Sequence, residues 1–145
     1  MTELEDSFVI TRADAPARWA VGRPVDVHGD GYTHMVDVEL SDDGIAARGQ
    51  AAFDGRGPEN LRDFLVALEK HWRGWRGARS WTSVGEEMTV EAHHDGRGYV
   101  SLAVTLRRAE RTYAPDAWSA RVVLTVEAGE ELRRIADAAQ RLLRP

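Results

Sequence analysis

The sequence has no cysteine, which excludes a disulfide framework, a thiolate zinc site and a cysteine nucleophile, and leaves folding to packing alone. No apolar run approaches the ~18 residues of a membrane-spanning helix. The opening MTELEDSFVI carries acids where a secretory leader needs a basic start and a longer apolar stretch, so the expected location is the cytoplasm, away from membranes. Also missing are a nucleophile elbow, a phosphate-cradling glycine loop and paired histidines at helical spacing. These absences lead to the expectation of a protein that is not an enzyme, with no catalytic residue, metal or cofactor. Lysine is nearly missing too. Lys70 stands alone among arginines, which together with the many alanines, glycines and valines points to a GC-rich bacterial genome.

What is present is enough for one domain over residues 1–145, since 43% of the chain is hydrophobic and its length suits a single core. The formal charge of −5 repels a phosphate backbone and weighs against nucleic acid as the main partner. That charge is unevenly spread. Residues 1–60 carry 12 acids against 5 bases, net −7, and residues 61–145 carry 12 against 14, net +2. Such asymmetry is ordinarily solvation of exposed faces, and it also suits a basic partner.

Ser7 to Arg12 and Ala17 to Val21 read as short strands ahead of a Gly22–Pro24 break. From Tyr32 to Leu40, Val36, Val38 and Leu40 alternate with Asp37 and Glu39, the period of a strand with one buried face. Ser41-Asp42-Asp43-Gly44 forms a turn, and Ile45 to Phe53 returns as the hairpin partner. Gly55-Arg56-Gly57-Pro58 then breaks the chain and opens a helix. Leu61, Phe64, Leu65, Leu68 and Trp72 make its apolar stripe, Glu59 and Asp63 suit its positive end, and Gly74 is its expected stop.

Beyond a loop rich in tryptophan and arginine, strands are predicted over Glu87 to Ala92, Tyr99 to Arg107 and Trp118 to Glu127. Asp95-Gly96-Arg97-Gly98 turns the first pair. Core candidates are Val100, Leu102, Val104 and Leu106, followed by Trp118, Ala120, Val122, Leu124 and Val126. A last helix, Glu130 to Leu143, sets Leu132, Ile135, Ala136, Ala139, Leu142 and Leu143 along one side, with Arg141 and Arg144 at its end. The expected class is α+β: an antiparallel sheet of about five to six strands with two amphipathic helices, in the order strands, helix, strands, helix.

Histidines are the first places to look for chemistry. His93 and His94 are adjacent, and adjacent strand residues point to opposite faces, so they suit a solvated hairpin end better than a shared metal ion. His34 is in phase with Val36 and is expected to be buried and satisfied by a backbone group rather than to act as a base. His28-Gly29-Asp30-Gly31 lacks the twelve-residue calcium pattern.

The run Lys70-His71-Trp72-Arg73-Gly74-Trp75-Arg76-Gly77-Ala78-Arg79-Ser80-Trp81 holds three tryptophans, four cations and no acid. Stacking rings interleaved with positive charge are what a single-strand binder uses, making Trp72, Arg73, Trp75, Arg76, Arg79 and Trp81 a candidate binding surface. The structural alternative places Trp72 on the helix stripe and sets Trp75 and Trp81 over the core. A second candidate is the outward sheet face, formed by Asp37, Glu39, Arg48, Gln50, Glu91, Ser101, Ser119 and Arg121, a mixed-charge platform suited to a protein partner.

The runs WRGWRGARSW, EAHHDGRGYVSLAVTL and DAWSARVVLTVEAGEELRRIADAAQRLL resemble the actinobacterial domain of unknown function family numbered 6228, loosely before residue 55 and closely after it. That family has no established activity to carry over. More remotely, the order of elements is similar to immunity proteins of the WapI type, which bind and neutralise a toxin of the same bacterium. The resemblance implies a non-catalytic intracellular protein-binding module with a toxin-like protein partner. The alternative is a small-molecule or single-stranded nucleic-acid binder working through the Trp72–Trp81 segment.

Overall fold

The structure, a computed structural model, describes residues 7–12, 14–26, 28–29, 31–53, 59–109 and 114–143. In chain order its elements are β1 (Phe8–Arg12), β2 (Ala15–Val21), β3 (Val25–Asp26), β4 (His34–Asp42), β5 (Ile45–Phe53), α1 (Glu59–Lys70), β6 (Ala78–Thr82), β7 (Met88–His94), β8 (Tyr99–Arg107), β9 (Ser119–Glu127) and α2 (Glu130–Leu142). The α+β class and the order strands, helix, strands, helix hold.

The strands form two antiparallel sheets, where the sequence predicts one sheet of five to six strands. The first sheet runs β1, β2, β4, with β3 sharing one side of β4 and β5 taking the other. The second runs β6, β7, β8, β9. Alternation reports that a strand buries one face without reporting what covers it, so two facing sheets and one helix-covered sheet look alike in sequence.

Inward residues of both sheets join one core. Val36, Val38, Leu40, Ala51 and Phe53 meet Val100, Leu102, Val104, Leu106, Val122 and Leu124, and Leu61, Leu65, Leu68, Leu132 and Ala139 of the helices complete it. Full burial of each large aliphatic side chain contributes roughly 1.5–3 kcal/mol. Trp19 is fully buried with Phe8 edge-on at 5.7 Å, and its indole N–H has no hydrogen-bond partner among the described residues.

The β4–β5 hairpin closes through Asp43-Gly44, with Asp42 facing Ile45. Gly44 has φ of 81°, a conformation open to glycine and strained for a side chain, so this turn sets the register of the whole hairpin. α2 buries Leu132, Ile135, Ala136, Ala139 and Leu143 as predicted, and Leu142 packs at the margin of the core. Trp118, predicted inside, precedes β9 and stays exposed. The Gly55–Pro58 break, the Glu59 side chain and Arg144 lie outside the described residues.

A candidate binding surface

The tryptophan-arginine segment links the end of α1 to β6. α1 ends at Lys70, four residues before the predicted stop at Gly74, and tightens into turns in which His71 N–H bonds Leu68 O and Trp72 N–H bonds Glu69 O, both at 3.1 Å. Trp72 therefore leaves the helix stripe and stands 48% exposed, with the Arg73 guanidinium 5.2 Å from its ring centre.

The other two rings are committed to the fold. Trp75 is half-buried against the core and donates from Nε1 to Ala92 O at 3.3 Å. Trp81, which the sequence places in a loop, lies in β6 and stacks on Phe53 of the opposite sheet at 5.6 Å. Arg79 covers Trp75 at 5.0 Å and sets its Nη1 3.1 Å from His71 Nδ1, which is also 3.0 Å from Ala67 O. Since a guanidinium only donates, Nδ1 serves Arg79 as an acceptor or Ala67 as a donor, one at a time. Arg76 is exposed. The segment thus presents one free aromatic ring in place of a three-ring stacking platform.

His94 holds this arrangement. Its Nδ1 accepts Gly96 N–H at 2.9 Å, which leaves the Nε2 proton to be donated to Trp72 O at 2.8 Å, and Trp75 meets its ring edge-on at 5.4 Å. His93 points the other way, to Glu91 Oε1 at 2.9 Å, so the two histidines diverge as strand geometry requires. His34 is buried on the inward side of β4. Among the described residues no three His, Asp or Glu side chains converge to hold a metal ion.

Beside Trp72 lies a shallow cleft of about 290 Å3 between the end of α1 and the start of α2, lined also by Glu69, Gly129, Glu130 and Arg133. Arg133 grips both Glu130 oxygens at 2.8 Å, an interaction that raises the pKa of the guanidinium above its ordinary value.

The predicted sheet platform divides between two outer faces, because its residues belong to two sheets. On the first, Gln50 donates to Asp37 at 3.1 Å, and Glu39 is paired with Arg18 at 3.2 Å and Arg48 at 3.0 Å. Glu91, Ser101, Ser119 and Arg121 lie on the outer face of the second sheet, with Arg121 opposite Thr105. On that first face Arg18 and Arg48 balance Asp37 and Glu39. Asp37 is exposed on it, while Asp43 is exposed in the β4–β5 turn with Asp42 half-exposed beside it, and Asp26, opposite the inward-facing His34, is exposed on β3, so these last three acids stand around the rim of the sheet.

Sequence reasoning missed Glu87. This buried carboxylate sits in the β6–β7 turn and accepts Ser83 Oγ–H at 2.9 Å and Ala52 N–H at 3.2 Å, while Val84 N–H bonds Ala52 O at 3.2 Å. It ties the second sheet to the edge of β5. Nothing in the local pattern separates it from an exposed turn acid.

With this geometry in place, the comparison with known families is decisive for kinship: residues 22–145 match the family described as Family of unknown function (DUF6228). The chain belongs to this family. No curated protein and no solved structure matches it. The DUF6228 match begins at Gly22, so it covers β3 onward and leaves β1 and β2 outside.

Proposed function

We propose that this DUF6228 protein is a non-catalytic protein-binding module whose first sheet docks through its acidic rim on a basic protein, in the manner of an immunity protein occluding a toxin. The observation that carries this reading is the exposure of Asp26, Asp37 and Asp43 around β4, within residues 1–60, whose net charge is −7. Opposite charge across an interface accelerates encounter and selects partners, and rim charges act chiefly on the association rate. Arg18 and Arg48 both pair with Glu39 on the outer face, and the exposed Asp26 and Asp43 stand at the rim of the sheet, where basic groups of a partner would reach them. Two of the three tryptophans in the 72–81 segment are held in the fold, which weakens the competing picture of a stacking platform for single-stranded nucleic acid.

The test is affinity capture of the tagged full chain from its native cells at low and high salt, beside a variant carrying Asp37→Asn and Asp43→Asn. The expected result is one stoichiometric basic protein, released by salt and lost from the variant. Capture of nucleic acid, or of a protein held equally by the variant, would overturn the reading.

A further inference from the structure

The β5 edge carries an inference independent of the proposed function. Ala52 N–H and C=O face away from β4, toward Glu87 and Val84, and the β4–β5 register runs without a bulge. Alternation along an antiparallel strand then directs the main-chain groups of Ala46, Arg48 and Gln50 the same way. These groups have no partner among the described residues. An unpaired edge of this kind is a template for another strand unless charge, proline or a bulge blunts it. Here the edge sequence Ile45-Ala46-Ala47-Arg48-Gly49-Gln50 has no proline, and its one charge, Arg48, is already bound to Glu39 at 3.0 Å.

We propose that β5 pairs antiparallel with β5 of a second copy of this chain, about a two-fold axis at Ala47, joining the two first sheets into one continuous sheet. The side chains select the occupant and the register. On the inward side the edge reads Ile45, Ala47, Gly49: an exposed large side chain, a small one, and none. A two-fold at Ala47 sets Ile45 opposite Gly49 of the second copy and Ala47 opposite Ala47, so no two large side chains of the seam oppose each other and each isoleucine comes beside the Leu106 methyls that pack over Gly49. Ala46 and Arg48 then exchange main-chain hydrogen bonds across the seam, and each Arg48 faces an alanine methyl. Moving the axis to Arg48 would set two guanidiniums opposite each other. Moving it to Gly49 would drive Ala46 into the Ser83–Glu87 turn that occupies Ala52. The paired stretch is short, so the dimer is concentration-dependent.

The absence of cysteine makes the register directly readable. Position 47 faces its own copy in a pair whose Cα atoms lie about 4.5 Å apart, inside the ~4.4–6.8 Å span of a disulfide. Ala47→Cys is expected to give a covalent dimer on mild oxidation, and Gln50→Cys, which does not face its own copy, is expected to form no cross-link. Light scattering of the unmodified chain is expected to show its mass rising toward twofold with concentration. Ala46→Pro removes an outward N–H that the monomer does not use, so it is expected to fold with an unchanged circular dichroism spectrum and remain monomeric. Ile45→Lys repeats that test without touching the backbone. A chain monomeric at every concentration, a cross-link at 50 and not at 47, or a dimer surviving both Ala46→Pro and Ile45→Lys would overturn the proposal.

Discussion

His94 and Trp72, 22 residues apart, are joined by a 2.8 Å hydrogen bond from the imidazole Nε2 to the tryptophan carbonyl oxygen. The same ring accepts Gly96 N–H and meets Trp75 edge-on, so one side chain ties the β7–β8 hairpin to the turn after α1. His94→Ala is expected to lower stability by about 1–2 kcal/mol, the scale of lost hydrogen bonds at a partly exposed site. Amide exchange over residues 72–77 should rise more than elsewhere. Unchanged exchange there would contradict this role for the ring.

Glu87 gives the sharper stability test. Removing its carboxylate leaves Ala52 N–H and the Ser83 hydroxyl without their acceptor in a buried place, at a cost of about 1–3 kcal/mol. Glu87→Ala should show this in urea denaturation, and Glu87→Gln, which keeps an acceptor oxygen, should lose less. Equal losses would mean that charge, rather than the hydrogen bonds, matters at this junction.

The three tryptophans of the 72–81 segment should separate under substitution. Trp72→Ala is expected to shift stability by no more than about 0.5 kcal/mol. Trp81→Ala should cost about 2 kcal/mol or more, because it removes the ring stacked on Phe53 between the sheets. Titration of the Trp72→Ala protein with nucleotides or oligonucleotides, followed by fluorescence, is expected to match the unmodified protein, with no response in either. A quench present only with Trp72 would move the functional assignment to the cleft at Glu69 and Arg133.

Asp95 and Glu127 set the expected acid response. Asp95 accepts Arg97 N–H at 2.6 Å and Tyr99 N–H at 3.0 Å, and those bonds hold its pKa below the ordinary value of 3.8. Glu127 accepts Glu131 and Gly129 N–H, and these bonds hold its pKa below 4.5. A carboxylate with a depressed folded-state pKa contributes stability that is fully present above its unfolded value and is lost as pH falls through the folded value. Stability should accordingly decline below about pH 4, and less steeply with Asp95→Asn and Glu127→Gln combined. An identical acid limb in that variant would contradict the assignment.

Much of the fold was legible where the pattern reports on one element at a time. Val36, Val38 and Leu40, the Val100–Leu106 run and the α2 stripe all lie in the core, and the opposed directions of His93 and His94 follow from strand geometry alone. What escaped depends on contacts between distant segments. β6 was hidden because Arg79 and Trp81 read as loop chemistry until β7 pairs with them. Whether a tryptophan is buried or exposed is decided by what it meets: Trp81 finds Phe53, and Trp72 is turned out by the early end of α1. The outer platform divided for the same reason, since pairing between the two halves leaves no periodic trace.

The central claim, an acidic sheet rim that docks on a basic protein, is tested most directly by the captured partner's association rate with the unmodified chain and with the Asp37→Asn, Asp43→Asn variant across a salt series. The account predicts a rate that falls steeply with salt for the unmodified chain and a slower, flatter dependence for the variant, with dissociation little changed. Equal rates and equal salt slopes for the two proteins would contradict it.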